Sequence, residues 1–112
     1  MASAMFLWGI SMLDKSKIGH KVTPFDVDVE KGRLKFFAQS IGETSPIYTD
    51  ESAARDAGYD GSPALPTFAM VLDMEGPEFL PILALLKLDI AKILHGAQSF
   101  NYYGQIYAGD TI

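Results

Sequence analysis

The run Ile41-Gly-Glu-Thr-Ser-Pro-Ile-Tyr48 places a carboxylate, Glu43, and a phenol, Tyr48, on either side of a proline. A carboxylate accepts a proton at neutral pH and a phenol donates one, so the two side chains are a candidate general acid–base pair. The phenol is suited only to donating, because its ordinary pKa of about 10 leaves it a poor base at neutral pH. The same run also reads as a plain connection between helices. In that reading Gly42 stops the first helix, Thr44-Ser45-Pro46 turns the chain, and Tyr48 packs with its hydroxyl wet. Taken alone, the residues favour the connection. Little else in the chain is reactive. Histidine occurs only as His20 and His95, and cysteine is absent. His95, before Gly96, suits the carbonyls at a helix end, and His20 reads as a surface residue, so neither is assigned catalysis. No metal site and no cofactor are expected from so sparse a donor set. The lack of cysteine excludes disulfides and a thiolate nucleophile, and suits the reducing cytoplasm.

The elements that must position such a pair follow from local patterns. The 112 residues are 48% hydrophobic and 21% charged, within the range of one globular domain. A net charge of −5 argues against a nucleic-acid partner, which needs clustered Lys and Arg. Residues 1–11 carry no export signal and read as an N-terminal extension, with the domain running over residues 12–112. Apolar and acidic residues alternate from Phe25 to Val29, the period of a strand with one wet face. Leu34, Phe37, Ala38 and Ile41 form a helical stripe that Gly42 closes. Thr49 or Asp50 caps a short helix to Ala57, stopped by Gly58. Pro66 to Met74 is almost wholly apolar, which predicts a buried helix with Pro66 in its first turn. A further helix is expected from Phe79 to Leu94; Pro81, Lys87, Asp89 and Lys92 interrupt it and leave it short of a bilayer span, so no membrane role is expected. Its excess of apolar surface suggests an interface or a cover for a pocket mouth. Strands are expected at Ser99–Tyr103 and Ile106–Tyr107, a turn at Ala108-Gly109-Asp110, and another strand opening at Thr111-Ile112. So few strands cannot cover a buried helix, and the expectation is a sheet completed by further sequence or by a partner chain.

The order strand, helix, IGETSPIY, a short helix with ESAARDAGY, PALPTF opening a buried helix, then LHGAQSFNY and YAGDT resembles the N-terminal domain of the MaoC-like dehydratases. The likeness covers roughly Met12 to Ile112. It implies an α+β hot-dog fold, an antiparallel sheet wrapped around a central helix, here incomplete at the C-terminus. It also implies a relation to (R)-specific enoyl-CoA hydratases and 3-hydroxyacyl-ACP dehydratases, which add water to an enoyl thioester or remove it. Catalytic members of that family carry Gly-Asp-x-Asn-Pro-x-His, and here the matching run is Gly42-Glu43-Thr44-Ser45-Pro46-Ile47-Tyr48. Gly and Pro are kept, while Glu43 replaces the Asp, Ser45 the Asn and Tyr48 the His. By the resemblance, Glu43 and Tyr48 stand at the catalytic positions. Ser45, Pro66, Thr67, Phe68 and Met70 stand at positions expected to hold substrate, with Phe68, Met70 and Met74 lining an acyl pocket. The backbone at Pro66–Phe68 would polarise the thioester carbonyl. The implied ligand is an acyl-CoA or acyl-ACP thioester, and the implied assembly is a homo- or heterodimer with another hot-dog domain. Two readings follow. In the favoured one, the chain is a non-catalytic, acyl-binding half that leaves the Asp/His pair to its partner. In the other, Glu43 and Tyr48 make it a hydratase in its own right.

Overall fold

The computed structural model describes residues 13–112, and the expected extension over residues 1–11 lies outside them. The chain divides into two compact units. Among the described residues, one joins residues 13–25 to Gly76–Asn101, and the other joins Asp26–Glu75 to Tyr102–Ile112.

The second unit contains the core. The alternation expected at 25–29 is present, with Phe25 and Val27 half-buried, Val29 buried, and Asp26, Asp28 and Glu30 exposed. Helix α1 follows at Lys31–Ser40, with Leu34 and Ala38, one turn apart, buried. Its end is set by glycine chemistry. Gly42 takes φ +76, and the amides of Glu43 and Gly42 donate to the carbonyls of Ala38 and Gln39, the paired closing bonds of a Schellman motif. Ile41, expected on the apolar stripe, is the exposed residue where the helix closes. Helix α2, Glu51–Asp56, begins at Asp50, whose Oδ1 accepts from the amides of Ser52 and Ala53 at 2.9 and 3.4 Å. It ends in the same motif, with Gly58 at φ +97 and the Tyr59 amide donating to Ala54. Glu51 joins the two helices electrostatically, pairing with Lys31 at 2.7 Å and with Arg55 at 2.8 Å.

Helix α3 spans Phe68–Met74 rather than starting at Pro66. The amides of Phe68, Ala69 and Met70 donate three residues back, to Leu65, Pro66 and Thr67, so the entry is a tight turn and Pro66 and Thr67 precede the helix. The expected all-round burial is also not met. Phe68 and Leu72 face the core with Val29, Leu34 and Ala64, while Met74 is exposed. Phe68 meets Phe37 edge to face at 5.4 Å, and the Arg33 guanidinium lies over its ring at 5.8 Å. Arg33 also pairs with Glu75 just beyond α3.

The expected strands do not become a sheet among the described residues; they make two isolated antiparallel bridges, Asp28 to Thr111 and Pro63 to Tyr107. The cause is local. The turn predicted at 108–110 closes through an Asp110 amide donating to the Tyr107 carbonyl, with Gly109 at φ +95. The turn redirects the chain, so the residues before it pair with Ser62–Ala64 and those after it with Val27–Val29. Each pairing stops after a single bridge, and the central-helix-in-a-sheet arrangement is not completed within these residues.

In the other unit, helix α4 covers Phe79–Leu85 only, not the expected span to Leu94. Pro81 is tolerated because it falls in the first turn, where its missing N–H had no helical partner. The stop comes from Lys87 at φ 52, with the Leu88 amide donating to Leu83 and the Lys87 amide to Ala84. Asp89 then caps a 3₁₀ turn at Ile90–Lys92 through the Ala91 amide. No bridge forms at the strand expected over 99–103, and Leu80, Leu85, Ile90 and Leu94 are exposed.

Candidate functional site

The 42–48 loop leaves α1 through the reversal at Gly42, which delivers Glu43 as the first residue beyond the helix closure. Glu43 Oε1 accepts from the Ser45 amide at 2.8 Å, so the carboxylate braces its own loop and takes up the Ser45 N–H. Pro46 then opens a 3₁₀ turn, Pro46–Tyr48, in which its carbonyl accepts from the amides of Thr49 and Asp50. That turn packs on α2 and α1 and leaves Tyr48 half-buried. Burial pushes the Tyr48 phenol above its ordinary pKa, and the neighbouring Tyr59 and Glu43 push it further in the same direction. Glu43 and Tyr48 are therefore electrostatic neighbours. Chemically, the arrangement keeps Tyr48 protonated as a hydrogen-bond donor and moves it away from service as a base.

The remaining expected residues lie at the entry to α3. Pro66 and Thr67 are exposed, Phe68 is buried in the core, and Met70 is half-buried. Beside that entry is an open pocket of about 360 Å³, lined among others by Ala64, Leu65, Pro66, Tyr102, Gln105 and Ile106. Glu43, Ser45, Tyr48, Thr67, Phe68 and Met70 are not among its lining residues. The pocket is held by two side chains from the C-terminal segment. The Tyr102 hydroxyl donates to the Pro66 carbonyl, and Gln105 Nε2 donates to the carbonyls of Ala64 at 3.2 Å and Ile106 at 3.0 Å.

The structure thus puts Glu43 within electrostatic range of Tyr48, and Pro66 at the pocket. It adds three residues that the sequence reading did not assign to a site: Tyr59, Tyr102 and Gln105. Tyr59 carries a local signal, since it is the residue just past the Gly58 helix stop, where side chains fold back on the preceding turn. Tyr102 and Gln105 carry none, because their partners lie 36 and 41 residues away. Among the described residues, no group of three or more His, Cys, Asp or Glu is placed to hold a metal ion, and no helix is long and apolar enough to cross a membrane.

Comparison with known proteins agrees with the class that the motifs suggested, the hot-dog-related dehydratases. Residues 16–112 match the model of the FAS1-like, dehydratase domain region, and the chain belongs to that family, which is related to the MaoC-like proteins. A UPF0336 protein of Saccharopolyspora erythraea is 36% identical over 101 residues, which cover 89% of this chain and 65% of that protein. One from Streptomyces avermitilis is 33% identical over 101 residues, covering 89% of this chain and 67% of that protein. The chain therefore spans about two thirds of the length of these relatives. Among solved structures, the C-terminally truncated HadBC (3R-hydroxyacyl-ACP dehydratase) complex of Mycobacterium tuberculosis matches with a TM-score of 0.65 and 26% identity, over 80% of this chain and 65% of that one.

Proposed function

We propose that this chain is the acyl-thioester-binding, non-catalytic half of a 3-hydroxyacyl-thioester dehydratase or enoyl-thioester hydratase, and that a second hot-dog subunit supplies the acid–base pair. The observation that carries this reading is the state of Tyr48. Where catalytic members of the resembling family have a histidine, this chain has a phenol whose proton is held more firmly than usual by burial. A hydratase must take a proton from water, and losing the base that does so typically removes about 10²–10⁴ in rate. Glu43 has one of its oxygens engaged by the Ser45 amide of its own loop, which favours a bracing role for it. The entry to α3 is likewise spoken for, its first three amides closing on carbonyls three residues back. In this reading Ser45, Pro66, Thr67 and Met70 contribute binding surface, Phe68 fixes α3 in the core, and thioester polarisation is left to the partner. The match to a dehydratase complex supports pairing with another subunit.

The proximity of Glu43 to Tyr48 keeps one competing reading specific: Glu43 acts as base with Tyr48 as its donor. Assay of the purified full-length protein on crotonyl-CoA, with and without an added hot-dog subunit bearing Asp and His, separates the two. The expected outcome is negligible turnover alone and turnover when the partner is added. Turnover by the protein alone that Glu43→Gln abolishes would overturn the non-catalytic assignment.

A further inference from the structure

Charge is divided unevenly between the two units. Among residues 13–25 and 76–101, Lys15, Lys17, Lys21, Lys87 and Lys92 stand against Asp14, Glu78 and Asp89, a net charge of +2. The other unit sets Lys31, Arg33, Lys35 and Arg55 against eleven acidic residues, a net charge of −7. In the basic unit all three carboxylates are engaged by backbone amides. Asp14 accepts from Ser16 at 2.9 Å, Glu78 from Thr23 at 3.2 Å and Asp89 from Ala91 at 3.0 Å. The Thr23–Glu78 bond lays the N-terminal segment beside the start of α4, and Asp14 lies within electrostatic range of both Lys17 and Lys87. This is also the unit that shows its large apolar side chains to solvent, with Ile18, Leu80, Ile90 and Leu94 between 60 and 97% exposed. Lysines in excess beside exposed Leu and Ile match a surface that is anionic outside and apolar just beneath.

We propose that this unit docks on an anionic lipid bilayer, with the apolar side chains of residues 79–94 entering the headgroup boundary and Lys87 and Lys92 meeting lipid phosphates. Lysine suits that depth, because its methylene stem lies among acyl chains while its ammonium reaches the headgroups. A protein groove fits the segment less well. Groove recognition reads anchors one helical turn apart, whereas here α4 stops at Lys87, a 3₁₀ turn follows, and the exposed Leu80, Leu85, Ile90 and Leu94 form no such stripe. A fluid layer requires no fixed spacing. The expectation of no membrane role rested on spanning length, which no described helix has and which adsorption does not require. The proposal is independent of the thioester-binding role.

The test is co-sedimentation of the full-length protein with vesicles of phosphatidylcholine alone and of phosphatidylcholine mixed with phosphatidylglycerol. Binding is expected to the mixed vesicles, to weaken as salt rises, and to be far weaker without the anionic lipid. Lys87→Gln with Lys92→Gln should weaken it by roughly thirtyfold, about fivefold for each lysine. Leu80→Ser with Leu94→Ser should weaken it by about tenfold for each leucine. All four side chains are exposed, so circular dichroism should show both variants folded. Lys35→Gln, an exposed lysine of the acidic unit, should leave binding unchanged. No binding to mixed vesicles at low salt, equal binding to both compositions, or an equal loss in Lys35→Gln would overturn the proposal. So would lipid-free self-association that the leucine pair abolishes, which would assign the face to a second copy. Salt-sensitive binding to polyglutamate with none to vesicles would assign it to an acidic protein and overturn the proposal as well.

Discussion

Phe68 on α3 is 1% exposed and packs with Leu34, Ala64 and Leu72, whereas Leu94, in the other unit, is 97% exposed. The contrast extends beyond these two residues. Among the described residues, every buried one lies in Asp26–Glu75 or Tyr102–Ile112, and none lies in residues 13–25 or Gly76–Asn101. Apolar content does not explain this, since Phe79–Leu94 is the most apolar stretch of the chain. The difference is in closure. In the core unit, two helices end at glycines that adopt positive φ without steric cost, and the chain folds back so that α1, α3 and the C-terminal segment share one cluster. In the other unit the same helix stop is built on Lys87, and the apolar side chains beyond it are largely exposed. Burial thus depends on the chain being turned back onto itself, and hydrophobicity alone does not achieve it.

The comparison breaks most visibly at its two extremes. Phe68→Ala should lower unfolding free energy by about 3–5 kcal/mol, as for other buried aromatics, while Leu94→Ala should stay within about 0.5 kcal/mol. Urea denaturation of both variants measures this, and a comparable loss at Leu94 would mean that it is buried in solution. Helix closure is the next test. Gly58→Ala should cost about 1–2 kcal/mol, because a β-carbon is disfavoured at φ +97 even though no atom stands within 4 Å of it. The equivalent position in the other unit should respond in the opposite direction. Lys87→Gly relieves a left-handed side chain but gives the unfolded chain more freedom, for a net gain of about 0.5 kcal/mol, readable as a small rise in Tm.

The smallest effect concerns the exposed charge cluster that joins α1 to α2. Hydrogen bonds from Arg55 and Lys31 hold the Glu51 carboxyl at about 2, below its ordinary 4.5. A depressed carboxylate stabilises the fold above its unfolded pKa, and that contribution is lost as pH falls through the folded one. The Tm difference between wild type and Glu51→Gln should therefore be constant above about pH 5 and vanish as pH approaches about 2. A difference that survives at the acid end would show that Glu51 acts through packing rather than charge.

Of the site, the sequence made legible what depends on neighbours in the chain. The loop at 42–48 and the packing of the aromatic at its end could both be read directly. What Glu43 does there could not, because its bond to the Ser45 amide depends on the path taken after Gly42. The extent of α3 burial was also misjudged. A run of apolar residues states an average tendency, whereas the surroundings decide which of its faces is covered, and here Phe68 and Leu72 are covered while Met74 is not.

The amino-acid order by itself determined the alternation at 25–29, a helix cap at Thr49 or Asp50, the stops at Gly42 and Gly58 and the turn at 108–110. These features satisfy backbone groups within a few residues, and their energies are local. Only the tertiary structure decided that the C-terminal segment would divide its pairing between two neighbours, and that Tyr102 and Gln105 would reach the carbonyls of Pro66 and Ala64. Those outcomes depend on which distant atoms meet once the loops between them have closed, and no short window of sequence contains both partners.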